Sequence, residues 1–227
     1  MISFSDQIKQ ELRSLENSFL SGSKQPQRIW RGFDARTNTP KFSKVSLQRA
    51  VLHEYCQSFG ELINISDPLA LEVGVEKYSI LKRLFNFNRI ERMDRDNCIM
   101  GNKVDYNQDL VDDSIDSLKN RFDLVICSNT LEHTFDIHDG IKRLFQMCKP
   151  GGIVYISMPF LHGLHLDPYD YWRVTPYCME KLVSKYTSNF LVLKEATKPT
   201  FPRLVYSKFR LHGYCLHGVS AFAQKSR

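Results

Sequence analysis

The feature that most constrains the fold is a regular alternation of short apolar runs and helical stretches, which begins at Leu69. Strands are predicted, in chain order, at LALEV, at RIERMD, within VDYNQDL, at FDLVICSN and at GIVYISMP, which are the first to fifth strands, and two further strands near the C-terminus at FLVLKEA and GVSAFAQ. Helices are predicted between them at YSILKRLF, DIHDGIKRLFQMC and PYCMEKLVSKY. Strands that alternate with helices predict an α/β fold, in which a mostly parallel sheet carries helices on both faces.

The first 66 residues have a different pattern. Apolar residues at helical spacing predict one helix within residues 5–20 and a second helix that begins near Ser46. A polar, proline-containing loop is predicted between them. The sequence therefore predicts an N-terminal helical extension and loop over residues 1–66, followed by an α/β domain over residues 67–227.

The composition narrows the class of protein. A hydrophobic fraction of 42% and a charged fraction of 25% are typical of a soluble globular protein. No apolar run approaches the roughly 20 residues needed to span a bilayer, and the polar N-terminus is not typical of a secretory signal. The six cysteines are scattered without the CxxC spacing of a zinc or redox site. We therefore expect a cytoplasmic protein with no membrane span.

The net charge of +6 raises the question of a nucleic-acid partner. No arginine-rich block or platform of interleaved aromatic and basic residues accompanies this charge, so nucleic-acid binding is not favoured. An acidic substrate explains the excess of basic residues equally well. The sequence specifies no oligomeric state.

The turn after the first predicted strand, in LALEVGVEKYSIL, begins like a nucleotide-binding loop and then departs from it. Gly74 is present, but Glu76 and Tyr78 stand where further glycines are expected. A dehydrogenase is therefore not indicated, because pyrophosphate binding needs the GxGxxG pattern. Asp94 lies 20 residues after Gly74, at the end of the second strand. That is the separation at which a carboxylate meets ribose hydroxyls, although a solvated loop acid would fit the spacing as well.

A wider resemblance is carried by FDLVICSNTLEH, the helix that follows it, and KPGGIVYISMPF. Over residues 68–176 the chain resembles the class I S-adenosylmethionine-dependent methyltransferases, in particular those of the type 11-like group. The segment HLDPYDYWRVTP resembles a loop of a subgroup linked with glycan and surface-polysaccharide biosynthesis. The resemblance implies a Rossmann-like sheet with an antiparallel last strand, and S-adenosylmethionine as the cofactor.

By this resemblance the first turn and the end of the fourth strand hold the methionine end of the cofactor. Glu72 and Gly74 would begin the cofactor loop, and Ser128 and Asn129 would line its floor. The carboxylate of Glu76 could pair with the methionyl ammonium, as charge-assisted hydrogen bonds favour. Alternatively, the side chains that replace the glycines could occupy the place of the cofactor.

The resemblance also assigns two acids to the adenosine end. Asp94 would accept hydrogen bonds from the ribose, and Asp109 would lie beside the adenine amino group. On the residues alone, the pair Glu132–His133 suggests a metal site or a proton relay. The family resemblance favours a structural packing role for this pair, and we expect no metal site.

The acceptor is expected at the loop that follows the fifth strand. His165 is the leading candidate for a general base, with Asp170 as the alternative base or as its orienting partner. His162, Tyr171 and Arg173 are candidates for binding the acceptor, and Arg173 could hold an acidic group bidentately. The alternative is that aromatic side chains anchor the loop and that Arg173 pairs with a nearby acid.

These observations favour a methyltransferase that acts on a small-molecule or glycan-type acceptor, at oxygen. A second hypothesis is a methyltransferase-like protein that has lost cofactor binding and serves as a binding or assembly module. An RNA methyltransferase is a third. Methylation of exocyclic base amines is not indicated, because SNTLEH lacks the Asn-Pro-Pro-aromatic motif after the fourth strand.

Overall fold

The structure is a computed structural model of the 227-residue chain. It describes residues 30–33, 40–42, 67–75, 88–96, 98–99, 102–165, 168–197, 210–211 and 214–226. The helices predicted within residues 5–20, 46–63 and 78–85 lie outside these ranges, as do Glu76 and Tyr78. The predicted division at residue 66 stays a prediction.

Twelve strands lie within the described residues. They are β1 (Trp30–Phe33), β2 (Pro40–Phe42), β3 (Leu69–Val73), β4 (Arg89–Asp94), β5 (Cys98–Ile99), β6 (Asn102–Lys103), β7 (Tyr106–Asn107), β8 (Phe122–Ser128), β9 (Cys148–Pro159), β10 (Phe190–Thr197), β11 (Arg210–Leu211) and β12 (Tyr214–Gln224). The pairs β1–β2 and β5–β6 form two small antiparallel sheets. The pair β1–β2 lies in the N-terminal segment for which a polar loop is predicted.

The remaining strands form one central sheet in the order β10-β12-β9-β8-β3-β4-β7, and β11 pairs with β12. The pairings from β9 to β7 are all parallel. Strand β12 runs antiparallel to both β9 and β10, between which it is inserted. This confirms the predicted Rossmann-like α/β sheet, mostly parallel with an antiparallel last strand.

Two α-helices are described, and both begin at a side-chain cap. In α1 (Ile137–Met147) the carboxylate of Asp136 accepts the N–H of Asp139 at 2.9 Å. In α2 (Pro176–Val183) the hydroxyl of Thr175 accepts the N–H of Cys178 at 3.2 Å. Each cap satisfies an amide that the first helical turn would otherwise leave unpaired. Helix α1 packs on β8 and β9, α2 packs on β10 and β12, and the two helices contact each other.

The hydrophobic core lies between these helices and the sheet. From Leu124 to Cys127, every side chain of β8 is fully buried, and β9 is equally buried from Val154 to Ile156. Central parallel strands read as continuous apolar runs because both of their faces are covered. None of the helices in the described part of the chain is long and apolar enough to cross a membrane.

The parallel strands place the functional candidates at one edge. Val73 is in register with Met93 of β4 and with Cys127 of β8. The residues that follow these three positions therefore leave the sheet side by side. Ligands of open α/β sheets bind at this carboxyl edge.

Candidate functional site

A cavity of about 340 Å³ lies at the carboxyl edge of β3, β4 and β8. Its walls come from the residues that follow these strands, from the segment after β7 and from the short 3-10 turn Leu131–His133. Ligand pockets for small molecules typically measure about 300–1,000 Å³. The cavity is therefore large enough for a small-molecule ligand.

Gly74 is required by the shape of the cavity floor. Its φ is +74°, its N–H donates to the carbonyl oxygen of Met93 at 3.0 Å, and a Cβ added there would lie 1.9 Å from Oγ1 of Thr130. The Thr130 hydroxyl in turn donates to the carbonyl oxygen of Ser128 at 3.2 Å. Glycine permits both the left-handed backbone and this close approach of the two strand ends.

The carboxylate of Asp94 is fixed at the cavity by backbone donors. Its Oδ2 accepts the N–H of Val75 at 2.8 Å, and its Oδ1 accepts the N–H of Asp96 at 3.1 Å. Each carboxylate oxygen can accept two hydrogen bonds. The group is therefore held in one orientation while it keeps acceptor capacity for a ligand.

Asp109, Ser128 and Asn129 also line the cavity, as does Gln108. Oδ1 of Asp109 accepts the N–H of Val111 at 2.9 Å, which fixes this side chain in a local turn. Among the residues that line the cavity, three side-chain oxygens are buried without a hydrogen-bond partner within the described part of the chain: Ser128 Oγ, Asn129 Oδ1 and Gln108 Oε1.

Buried polar atoms in proteins are almost always paired. The three oxygens therefore fit a polar ligand in the cavity, and the residues present suit a nucleoside-type cofactor. Gln108 was missed by the sequence analysis, although it directly precedes Asp109. Its amide belongs to no motif, and only the cavity identifies it.

Two other predicted cofactor residues have a different placement. Glu72 is buried within β3, and it is not among the described residues that line the cavity. Glu76 lies outside the described residues. Their proposed contacts with the cofactor stay predictions.

In the loop after β9, Asp170 is the central polar side chain. It is completely buried, and its carboxylate pairs with Arg173 through Nη1–Oδ1 and Nη2–Oδ2 distances of 2.5 and 2.6 Å. Chiefly because of the Arg173 guanidinium, the pKa of the Asp170 carboxyl lies well below its usual range. Such a weakly basic carboxylate suits an orienting partner better than a general base. The guanidinium of Arg173 is therefore occupied by its ion pair with Asp170.

His165 is oriented by this carboxylate. Its backbone N–H donates to Oδ2 of Asp170 at 3.0 Å, and its ring Nδ1 lies 3.1 Å from the same oxygen and 3.3 Å from the carbonyl oxygen of Gly163, which accepts its hydrogen bond. Because a carboxylate only accepts, Nδ1 carries the hydrogen and Nε2 carries the lone pair. His133 has the same arrangement, because its Nδ1 lies 2.6 Å from the carbonyl oxygen of Tyr169. The two imidazole rings meet edge to face, with their centroids 4.8 Å apart.

The side chain of Glu132 lies against these two histidines. It is 0% exposed, and within the described residues neither carboxylate oxygen has a hydrogen-bond partner. Burial raises the pKa of this carboxyl to about 8. One ligand atom from each of Glu132, His133 and His165 lies within 4.8 Å of the others. His133 also lines the cavity, so this group adjoins the cavity at the carboxyl edge.

Aromatic side chains form the exposed surface beside this group. Tyr171 is partly exposed and meets Phe135 edge to face at 5.3 Å, while Trp172 donates its indole N–H to the carbonyl oxygen of Thr134 at 3.0 Å. Trp172 thus anchors the loop to the segment after β8. His162 is exposed, with its ring centroid 4.8 Å from that of His165.

Residues 62–191, more than half of the chain, match the family described as methyltransferase domain. A curated relative is the ubiquinone biosynthesis O-methyltransferase of Pseudomonas savastanoi pv. phaseolicola, which is 35% identical over 57 residues. This match covers 25% of the present chain and 25% of that protein. The matched segment therefore spans only about a quarter of the relative's length.

Solved structures with the same fold include a SAM-dependent methyltransferase from Archaeoglobus fulgidus, with a TM-score of 0.56 and 13% identity over 78% of this chain and 94% of that one. The cyclase SpnF has a TM-score of 0.56 and 15% identity, over 97% of this chain and 95% of that one. At these identities the likeness concerns the fold alone.

Proposed function

The chain belongs to the methyltransferase domain family, and from this premise we propose that it uses S-adenosylmethionine to methylate an oxygen of a small-molecule or glycan-type acceptor. The observation that carries the proposal is the cavity at the carboxyl edge, with three buried oxygens that lack partners in the described residues. A polar ligand of nucleoside type would satisfy them. When bound, S-adenosylmethionine supplies the electrophilic methyl group.

The adenosine end would be held by carboxylates and an amide. Asp94 would accept hydrogen bonds from the ribose hydroxyls, because its two oxygens are already oriented by backbone N–H groups. Asp109 and Gln108 lie on the same wall of the cavity and would contact the adenine.

The methionine end would lie over the first turn. There the absence of a side chain at Gly74 leaves room at the floor, and Ser128 and Asn129 line the cavity with oxygens that lack partners within the described residues. Glu72 and Glu76 remain candidates for this end.

The acceptor would lie against the loop of residues 162–173. In the metal-free protein the lone pair on Nε2 of His165 would take the proton of an acceptor hydroxyl as the oxygen gains the methyl group. Asp170, acting as a positioning residue, would stabilise the resulting imidazolium, and Arg173 would hold Asp170 in place.

Exposed aromatic side chains and polar imidazole rings occur together on the proposed acceptor side. Phe135 is 74% exposed and Tyr169 is 60% exposed, and both rings pack against Tyr171, which belongs to the same loop as His162 and His165. Such a surface suits an acceptor that combines hydroxyl groups with flat apolar faces, as a sugar residue does. A relative named as an O-methyltransferase supports oxygen as the methylated atom.

A second candidate function is a binding or assembly module without methyl transfer. Glu76 and Tyr78 replace glycines of the cofactor turn, and the cyclase SpnF has the same fold. Cofactor binding separates the two candidates.

The test is calorimetric titration of the purified chain with S-adenosylhomocysteine. We expect micromolar affinity, which corresponds to about 8 kcal/mol. Asp94→Asn should weaken binding about 10-fold or more, since it removes the charge from hydrogen bonds worth about 1.5–3 kcal/mol each. Asp112→Asn, at an exposed position near the cavity, is the matched control and should bind normally. If the unaltered chain does not bind S-adenosylhomocysteine, the methyltransferase proposal is refuted and the binding or assembly module remains as the candidate function.

A further inference from the structure

We propose that Glu132, His133 and His165 form a binding site for a divalent transition-metal ion beside the cofactor cavity. Metal binding itself follows from these three side chains alone. The role that we give the ion in the reaction rests on the proposed function.

The first argument is the environment of Glu132. Its carboxylate is 0% exposed, and neither oxygen is paired within the residues that the structure describes. A buried carboxylate needs a counter-charge or hydrogen bonds. The nearby guanidinium of Arg173 does not fill this need, because both of its Nη atoms are bound to Asp170 and to backbone carbonyl oxygens and no hydrogen bond from it reaches Glu132 within the described residues. A cation against Glu132 would provide the missing partner.

The second argument is the orientation of the two imidazoles. Nδ1 of His133 donates to the carbonyl oxygen of Tyr169, and Nδ1 of His165 donates to the carbonyl oxygen of Gly163 and lies 3.1 Å from the carboxylate of Asp170. Metal-binding histidines nearly always use one ring nitrogen in this way, which fixes the ring and makes the other nitrogen a better ligand. In both rings Nε2 is therefore the free ligand atom.

The third argument is the match of donors and spacing. One ligand atom from each of the three residues, a carboxylate oxygen or an imidazole nitrogen, lies within 4.8 Å of the others, and tetrahedral ligands of zinc are about 3.4 Å apart for bonds of about 2.0–2.1 Å. Modest side-chain rotations would close the group on an ion. Two imidazoles and one carboxylate suit Zn²⁺ or Fe²⁺ rather than Mg²⁺ or Ca²⁺, which prefer oxygen ligands.

Three protein ligands leave one coordination position open. His133 lines the cofactor cavity, and His165 belongs to the loop where the acceptor is proposed to lie. An acceptor hydroxyl at the open position would have its pKa lowered by the ion, and its proton would pass to solvent. In the ion-bound protein His165 is then a ligand rather than the proton acceptor.

The test uses the full chain after treatment with a chelator, titrated with Zn²⁺ against a chromophoric competitor. We expect one strong site per chain. Glu132→Gln and His165→Ala should each weaken binding about 100-fold. Asp170→Asn, which leaves all three ligands in place but weakens the support of His165 and the ion pair with Arg173, should weaken it about 10-fold to 100-fold.

Two control variants test whether zinc binds instead to exposed side chains at the surface. His138→Ala changes an exposed histidine on α1, and Cys178→Ser removes an exposed thiol on α2; both should leave the strong site intact. Thermal unfolding checks that each variant is folded. If the buried Glu132→Gln variant does not fold, the partly exposed His165 supplies the decisive variant.

The proposal is overturned if no strong site exists, or if zinc affinity is unchanged in folded His165→Ala. Parallel titration with S-adenosylhomocysteine separates the two proposals. Cofactor binding without zinc binding removes only the metal site, whereas zinc binding without cofactor binding removes only the methyltransferase.

Discussion

Replacing Gly74 with alanine tests the packing that forms the floor of the cavity. The left-handed backbone at φ +74° disfavours any side chain, at a cost of about 1–2 kcal/mol. The new Cβ would also lie 1.9 Å from Oγ1 and 2.7 Å from Cβ of Thr130, and such overpacking costs about 1–3 kcal/mol. We therefore expect Gly74→Ala to lower the free energy of unfolding by about 2–5 kcal/mol.

Two other glycines separate the cost of the left-handed backbone from the cost of the close contact. Gly151 has φ +78° but nothing within 4 Å of an added Cβ, so Gly151→Ala should show the backbone cost of about 1–2 kcal/mol alone. Gly163 has open space around its Cβ position and no left-handed φ. Gly163→Ala should be neutral, or stabilising by about 0.4–1 kcal/mol through the unfolded state.

The measurement is urea denaturation of all three variants, followed by circular dichroism and supported by thermal unfolding. For a chain of this size, each kcal/mol corresponds to about 2–4 °C in Tm. Gly74→Ala should be the least stable, and it should also bind S-adenosylhomocysteine most weakly. If Gly74→Ala is no less stable than Gly151→Ala, the close contact with Thr130 is not present and the reasoning fails.

Three further predictions concern the supports of the site. Asp136→Ala removes the cap of α1 and should lower the free energy of unfolding by about 1 kcal/mol, measured by urea denaturation; an unchanged midpoint would contradict the cap. Leu144→Ala, at a fully buried position of the same helix, should lower it by about 2–5 kcal/mol in the same assay, and a loss below 1 kcal/mol would argue against the packing of α1 on the sheet. Arg173→Lys replaces a bidentate partner of Asp170 with a point charge. Its affinity for S-adenosylhomocysteine should be unchanged while methyl transfer falls, so a normal turnover rate would refute the positioning role.

The sheet could be predicted from sequence because its strands carry a strong local signal. In β8 and β9, burial on both faces demands unbroken apolar runs, and those runs are visible without any structure. The position of Asp94 followed from the same logic. An acid at the last position of a parallel strand must lie at the carboxyl edge, whatever the rest of the chain does.

The group around Glu132 could not be predicted, because its members come together only in three dimensions. His133 and His165 are 32 residues apart in sequence, and no local pattern specifies that their rings meet edge to face. The burial of Glu132 depends equally on the loop that returns over it. On the sequence alone, a packing role for Glu132 and His133 was the better interpretation, since the third ligand and the unpaired carboxylate were both invisible.

The segment from Ser128 to Phe135 connects the two halves of the proposed site. On one side Thr130 packs against Gly74, so the position of this segment sets the floor of the cofactor cavity. On the other side, the carbonyl oxygen of Glu132 accepts the N–H of Tyr171 at 2.7 Å, and Trp172 donates to the carbonyl oxygens of Thr134 and Phe135. The acceptor loop is therefore fastened to the same few residues that close the cofactor turn. Because packed elements transmit small displacements rather than absorbing them, a cofactor that shifts this segment must also shift the loop that carries His165. The proposed cofactor site and the proposed acceptor site are thus linked through one packed segment.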